Sequence, residues 1–75
     1  MATTSIQQGD RIIARDAFGR ENERRAITGV VAGQDFAVVW LCGEDEWDAA
    51  ARAGREPSGV PFPAEDVWVP EQAPV

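Results

Sequence analysis

Lysine, histidine and tyrosine are absent from the chain, and cysteine occurs once, at Cys42. Each absence removes a class of chemistry. Without histidine or lysine, the side-chain bases near neutral pH are carboxylates and the Cys42 thiolate, so serine and cysteine triads cannot be assembled. One cysteine cannot close a disulfide within the chain, which fits a reducing compartment. No apolar run approaches the ~18 residues that a membrane-spanning helix requires, and residues 1–8 lack the basic start and apolar middle of a secretory signal. No membrane association is expected, and the compartment expected is the cytoplasm, or the interior of a virus particle. All seven basic residues are arginine, and alanine, glycine and valine are abundant. That bias points to high-GC coding, and so to a high-GC bacterium or a virus infecting one.

The chain has 75 residues, enough for one domain with a thin core. Folding at this length hides only ~60–65% of the surface that the unfolded chain exposes. Net stability is then a few kcal/mol, which self-association or a partner surface naturally supplements. The net charge of -6 is uneven. Residues 1–25 hold five arginines against four acids, giving +1, and residues 26–75 hold two arginines against nine acids, giving -7. Partners with a basic surface are therefore expected in preference to nucleic acid.

Along the chain, residues 1–8 are polar and aperiodic, a flexible lead-in. Gly9-Asp10 opens a strand, Arg11 to Arg15, with Ile12 and Ala14 on one face and Ile13 on the other. Asp16 to Glu23 is a charged loop whose Phe18 can fold back over a barrel mouth. A second strand, Arg24 to Ala32, and a third, Phe36 to Cys42, flank a turn at Gly33 to Asp35. Both faces of the third strand are apolar: Phe36, Val38, Trp40 and Cys42 on one, Ala37, Val39 and Leu41 on the other. An antiparallel strand with one wet face alternates apolar with polar, so the Ala37, Val39 and Leu41 face is either covered by another element or is itself a contact surface. The expected cover is a helix at about 45–53, capped by Asp45, with Trp47, Ala50, Ala51 and Gly54 on one side, an Asp48–Arg52 pair, and a stop at Gly54 and Pro57. Arg55 to Phe62 is a Gly/Pro loop, Pro63 to Asp66 a single 3₁₀ turn, and Val67 to Val69 a short last strand, ahead of a flexible tail over residues 70–75.

Gly9-Asp10-Arg11-Ile12 opening the first strand, the long first loop Asp16 to Glu23, Gly33 in the hairpin and the Pro63 to Val67 turn together resemble an SH3-like small β-barrel. The resemblance covers 9–69 as a single domain: a mainly β barrel of about four or five antiparallel strands, with one short helix inserted after the third. That helix departs from the plainest version of the fold. What the resemblance implies is a binding or assembly module.

The chemistry inventory agrees with that role. The acids Glu44, Asp45, Glu46 and Asp48 do not follow the spacing of a calcium loop, and their place at a helix start explains them without a metal. Cys42 ends an apolar strand beside acids, as a buried small hydrophobe does. A two-carboxylate hydrolase needs a cleft that so small a chain rarely spares. No enzymatic activity, cofactor, metal or small-molecule substrate is expected. Arg11, Arg15, Arg20, Arg24 and Arg25 are interleaved with Asp10, Asp16, Glu21 and Glu23, which repel phosphates.

Three tryptophans stand out in so short a chain. Trp40 and Trp47 are expected to pack against each other or the hairpin. Trp68 is turned outward if Val67 and Val69 point inward, which makes Trp68 with Phe62 and Phe18, rimmed by Glu65 and Asp66, the candidate partner-binding patch. The expected function is a non-enzymatic, acidic protein-binding or assembly module. The alternatives are a small structural subunit of a virus particle or other large assembly, and a nucleic-acid or transcription-associated factor.

Overall fold

Among the described residues five antiparallel strands form one open sheet, in the spatial order fourth, third, second, first, fifth, with one helix after the third strand. The computed structural model describes residues 6–70. The elements are β1 (Arg11–Arg15), β2 (Glu21–Ala32), β3 (Ala37–Cys42), α1 (Glu44–Ala53), β4 (Val60–Pro63), a 3₁₀ turn at Ala64–Asp66, and β5 (Val67–Trp68).

The sheet is mainly β in the way the sequence anticipates, and its core is built by alternation. Side chains opposite one another across a ladder share a face. Ile12 and Ala14 point inward from β1, Ala26 from β2, Val39 and Leu41 from β3, and Val67 from β5. Phe62, Ala64 and Val69 pack against this cluster from its margin. At about 25 cal/mol per Å² of apolar area removed from water, these few side chains are the main favourable contribution to folding.

β2 is long because it serves two neighbours. Its first half pairs with β1 and its second with β3, and Arg25 lies opposite both Arg11 and Cys42. Between Ala26 and Val30 the register slips in a bulge. There the Thr28 hydroxyl accepts the Trp40 N–H at 3.3 Å, replacing a ladder bond that the bulge interrupts.

The structure corrects several expectations. The lead-in and tail fall at 1–5 and 71–75 outside the described residues, but Ile6, assigned to the lead-in, is buried in the core. The first loop is shorter, because β2 begins at Glu21. Its tip is a tight turn in which the Asp16 carboxylate accepts the Phe18 and Arg20 N–H groups at 2.9 and 3.0 Å. That geometry throws Phe18 outward, 87% exposed, and not over the core. The N-cap of α1 is Gly43, without a side-chain cap bond, and Asp45 sits inside the first turn.

Gly54 ends the helix in the left-handed conformation, φ 68°, as a C-cap glycine does, and the Arg55 N–H reaches back to the Ala50 carbonyl at 3.0 Å. The expected Asp48–Arg52 pair is replaced by Glu46–Arg55. The supposed loop from Arg55 to Phe62 contains β4, which enters the sheet past Gly59. A Cβ at Gly59 would collide with the Leu41 carbonyl and the Ile27 side chain, so only glycine allows the chain this close to β3.

Candidate partner-binding surface

The core face of β3 is the one carrying Val39 and Leu41, both fully buried. The expectation that this face would be covered by the helix, or left for a partner, is therefore reversed. On the opposite face of β3, Val38 and Cys42 are buried as well and Trp40 is exposed, at 39%, and the two halves of the outer sheet face differ.

The half formed by β1 and β2 carries Arg11, Ile13, Arg15, Glu21, Glu23 and Arg25, and Trp68 joins it because Ile13 lies opposite Trp68. Here most of the charges are matched, Glu23 excepted. Arg15 lies over the Trp68 ring at 5.3 Å and pairs with Glu21 at 3.6 Å. Arg25 is only 19% exposed in its side chain; it stacks on Trp47 at 5.3 Å, bonds to Glu44 at 3.0 Å and donates to the Gly9 carbonyl at 3.0 Å. These contacts dock the start of α1 on the sheet and explain why Arg25 tolerates its partial burial. Beneath the helix, the Cys42 thiol is buried, and desolvation together with the nearby Glu46 and Glu44 charges raises its pKa despite Arg25. Trp47 thus packs on Arg25 and Gly9.

The half formed by β3, β4 and the end of β2 has no such matching. Phe36 is 57% exposed, and Trp40 and Val31 are each 39% exposed. Val31 lies opposite Val38, and Pro63 and Pro61 lie opposite Val38 and Trp40. At the Phe36 end, Phe36, Ala37, Pro63, Ala64 and Glu65 line an open groove of about 350 Å³. A smaller hollow of about 190 Å³, lined by Trp47, Ala50, Ala51, Arg55 and Pro57, lies behind α1.

The sequence-nominated patch is not brought together. Trp68 turns outward as expected, while its neighbour Val67 is buried. It is half-buried beneath Arg15, however, whereas Phe62 faces the core opposite Val39. Phe18 stands on its own loop tip, and of the acids only Glu65 lines the groove. Phe36, Trp40 and Val31 were missed as surface residues. The available signal was the doubly apolar β3, and the register of β2 against β1 settles which of its faces is outside.

Among the described residues no group of three or more acidic or sulfur side chains is placed to hold a metal ion, and no helix is long and apolar enough to cross a membrane. Comparison with known proteins finds no matching family model, no matching curated sequence and no matching solved structure.

Proposed function

We propose that the protein is a non-enzymatic, acidic protein-binding or assembly module on an SH3-like small-barrel plan, and that it meets its partner through the outer face of β3 and the adjoining β4. The strand order, with β5 returning to pair with β1 after a single 3₁₀ turn, supports the small-barrel reading.

The observation that carries the functional reading is the exposure of Phe36, Val31 and Trp40 beside an apolar groove. A chain with so little core gains from burying every large apolar group it has, and contiguous apolar surface left wet is the mark of an interaction site. The Trp68 surface is the lesser candidate, because Arg15 already covers part of that ring.

The test is affinity capture from the native source with mass-spectrometric identification, followed by binding measurements on the identified partner. Trp40→Asp and Phe36→Ser are expected to abolish its binding with the melting temperature little changed, and Trp68→Ala to retain it. Undiminished binding by both of the first two variants would sink this assignment.

A further inference from the structure

We infer that the occupant of this face is an amphipathic helix of another protein, apolar along one side and flanked there by arginine or lysine. The inference rests on the partner-surface reading and adds the partner's charge and shape.

Charge comes first. From Ala26 to Ala51, and again from Glu56 to Val75, the chain contains no basic residue, so β3, β4, the 3₁₀ turn and β5 contribute none. Asp35 adjoins Phe36 in the turn, Glu65 lines the groove and Asp66 follows it. None of these three acids has an ion pair among the described residues, as is also true of Asp10, Asp16, Glu23, Asp45, Asp48 and Glu56, so all three are free to meet a cation. An apolar strip rimmed by unpaired carboxylates complements apolar anchors flanked by cations. A second copy of the chain, docking through a two-fold contact, would set the same acids against themselves.

Shape follows from β4. An extended peptide binds a sheet by adding a strand, which requires free N–H groups along the edge. Because β4 pairs with β3 through a ladder to which Pro61 and Pro63 cannot donate, Val60 and Phe62 supply the donors, and the solvent edge shows the two prolines. A partner backbone laid over this face must therefore satisfy its own polar groups, as a helix does internally. Phe36 stands in the turn just before β3 and Trp40 within the strand, giving one helix two separate apolar contacts. The groove beside Phe36 accepts one large side chain from the end of such a helix.

The experiment selects displayed amphipathic helices, constant on the apolar side and randomised on the flanks, against the full chain. The expected survivors are enriched in arginine and lysine over the input. A chosen survivor should lose about tenfold in affinity between about 0.05 M and about 0.5 M salt. Glu65→Lys, an exposed substitution that leaves the fold alone, should weaken it by a similar factor. Enrichment of neutral or acidic flanks, indifference to Glu65→Lys, or failure to select any helix overturns the inference. So does a dimer at about 0.1 mM by sedimentation that Trp40→Asp dissolves. Neutral helices that still require Trp40 and Phe36 would remove the cationic partner and leave the partner surface standing. Survivors that bind Trp40→Asp and Phe36→Ser as well as the parent would remove both.

Discussion

The two halves of the outer sheet face handle exposure in opposite ways. Around β1 and β2, arginines lie over Trp68 and Trp47 and pair with Glu21 and Glu44, while Glu23 and the ring of Phe18 at the loop tip have no counterpart. Around β3 and β4, Phe36, Val31 and Trp40 face water with no charge matched to them. The first half is finished by folding. The second keeps apolar area in water, which disfavours the isolated chain by an amount that a partner recovers on binding. One sheet thus carries its own stabilising contacts on one side and a surface for another molecule on the other.

That contrast can be broken most severely from beneath. Leu41 and Trp40 are consecutive in β3 but address opposite faces, Leu41 the core and Trp40 the solvent. Leu41→Ala is expected to cost about 2–5 kcal/mol in urea unfolding, most of the stability of a domain this size. Arg25→Ala comes next, at about 1–3 kcal/mol, because it leaves Glu44 with only its 3.7 Å pair to Arg11, leaves the Gly9 carbonyl without that donor and uncovers Trp47. Arg25→Lys should restore less than half of that loss, since lysine lacks the planar group that stacks and bonds together. A loss equal to that of Trp40→Ser would erase the distinction between the halves.

Trp40→Ser and Phe36→Ser belong to the small end, each within about 1 kcal/mol of the parent in the same unfolding assay. Larger losses would mean that the apolar half is a structural surface after all.

The smallest effect is expected at Glu46. Its carboxylate accepts hydrogen bonds from Arg55 at 2.7 Å and from the Ser58 N–H at 2.8 Å, and these hold its pKa down at about 2 against an ordinary 4.5. A depressed acid stabilises the fold above its unfolded pKa and loses that contribution as the pH falls through the folded value. Melting temperature should therefore decline between pH 4.5 and about 2, with Glu46→Gln showing a shallower decline over that window. The pair is exposed and salt screens it, so the difference should shrink at high ionic strength.

Much of the architecture was legible in local pattern. The alternation of Ile12, Ile13 and Ala14 placed β1 correctly, the run Phe36 to Cys42 placed β3 to within its first residue, and Gly54 marked the helix end. β4 was hidden because Pro61 and Pro63 break a strand pattern, and an edge strand with its prolines toward solvent is the one arrangement that admits them. Ile6 was hidden for another reason. It stands alone among polar residues, and its burial depends on the chain crossing Gly29 so closely that a side chain there would meet the Ile6 carbonyl.

The candidate surface was less legible than the fold. A doubly apolar strand announces that one of its faces is inside and the other unusual, but both faces of β3 look alike in isolation. Pairing decides between them: Leu41 lies opposite Ala26, among Ile12, Ala14 and Val67, whereas Cys42 lies opposite Arg25. Burying the other face would have carried Arg11, Arg15, Glu23 and Arg25 into the core, at a desolvation cost that their partners could not offset.

By itself, then, the sequence determined the first three strands, the helix stop, the acidic second part and the absence of histidine and lysine chemistry, because these depend on residue type and near-neighbour spacing. Tertiary structure alone decided which face of β3 is the core face, where β4 joins and which acids lack a partner, because each depends on residues far apart in the chain being brought to one sheet.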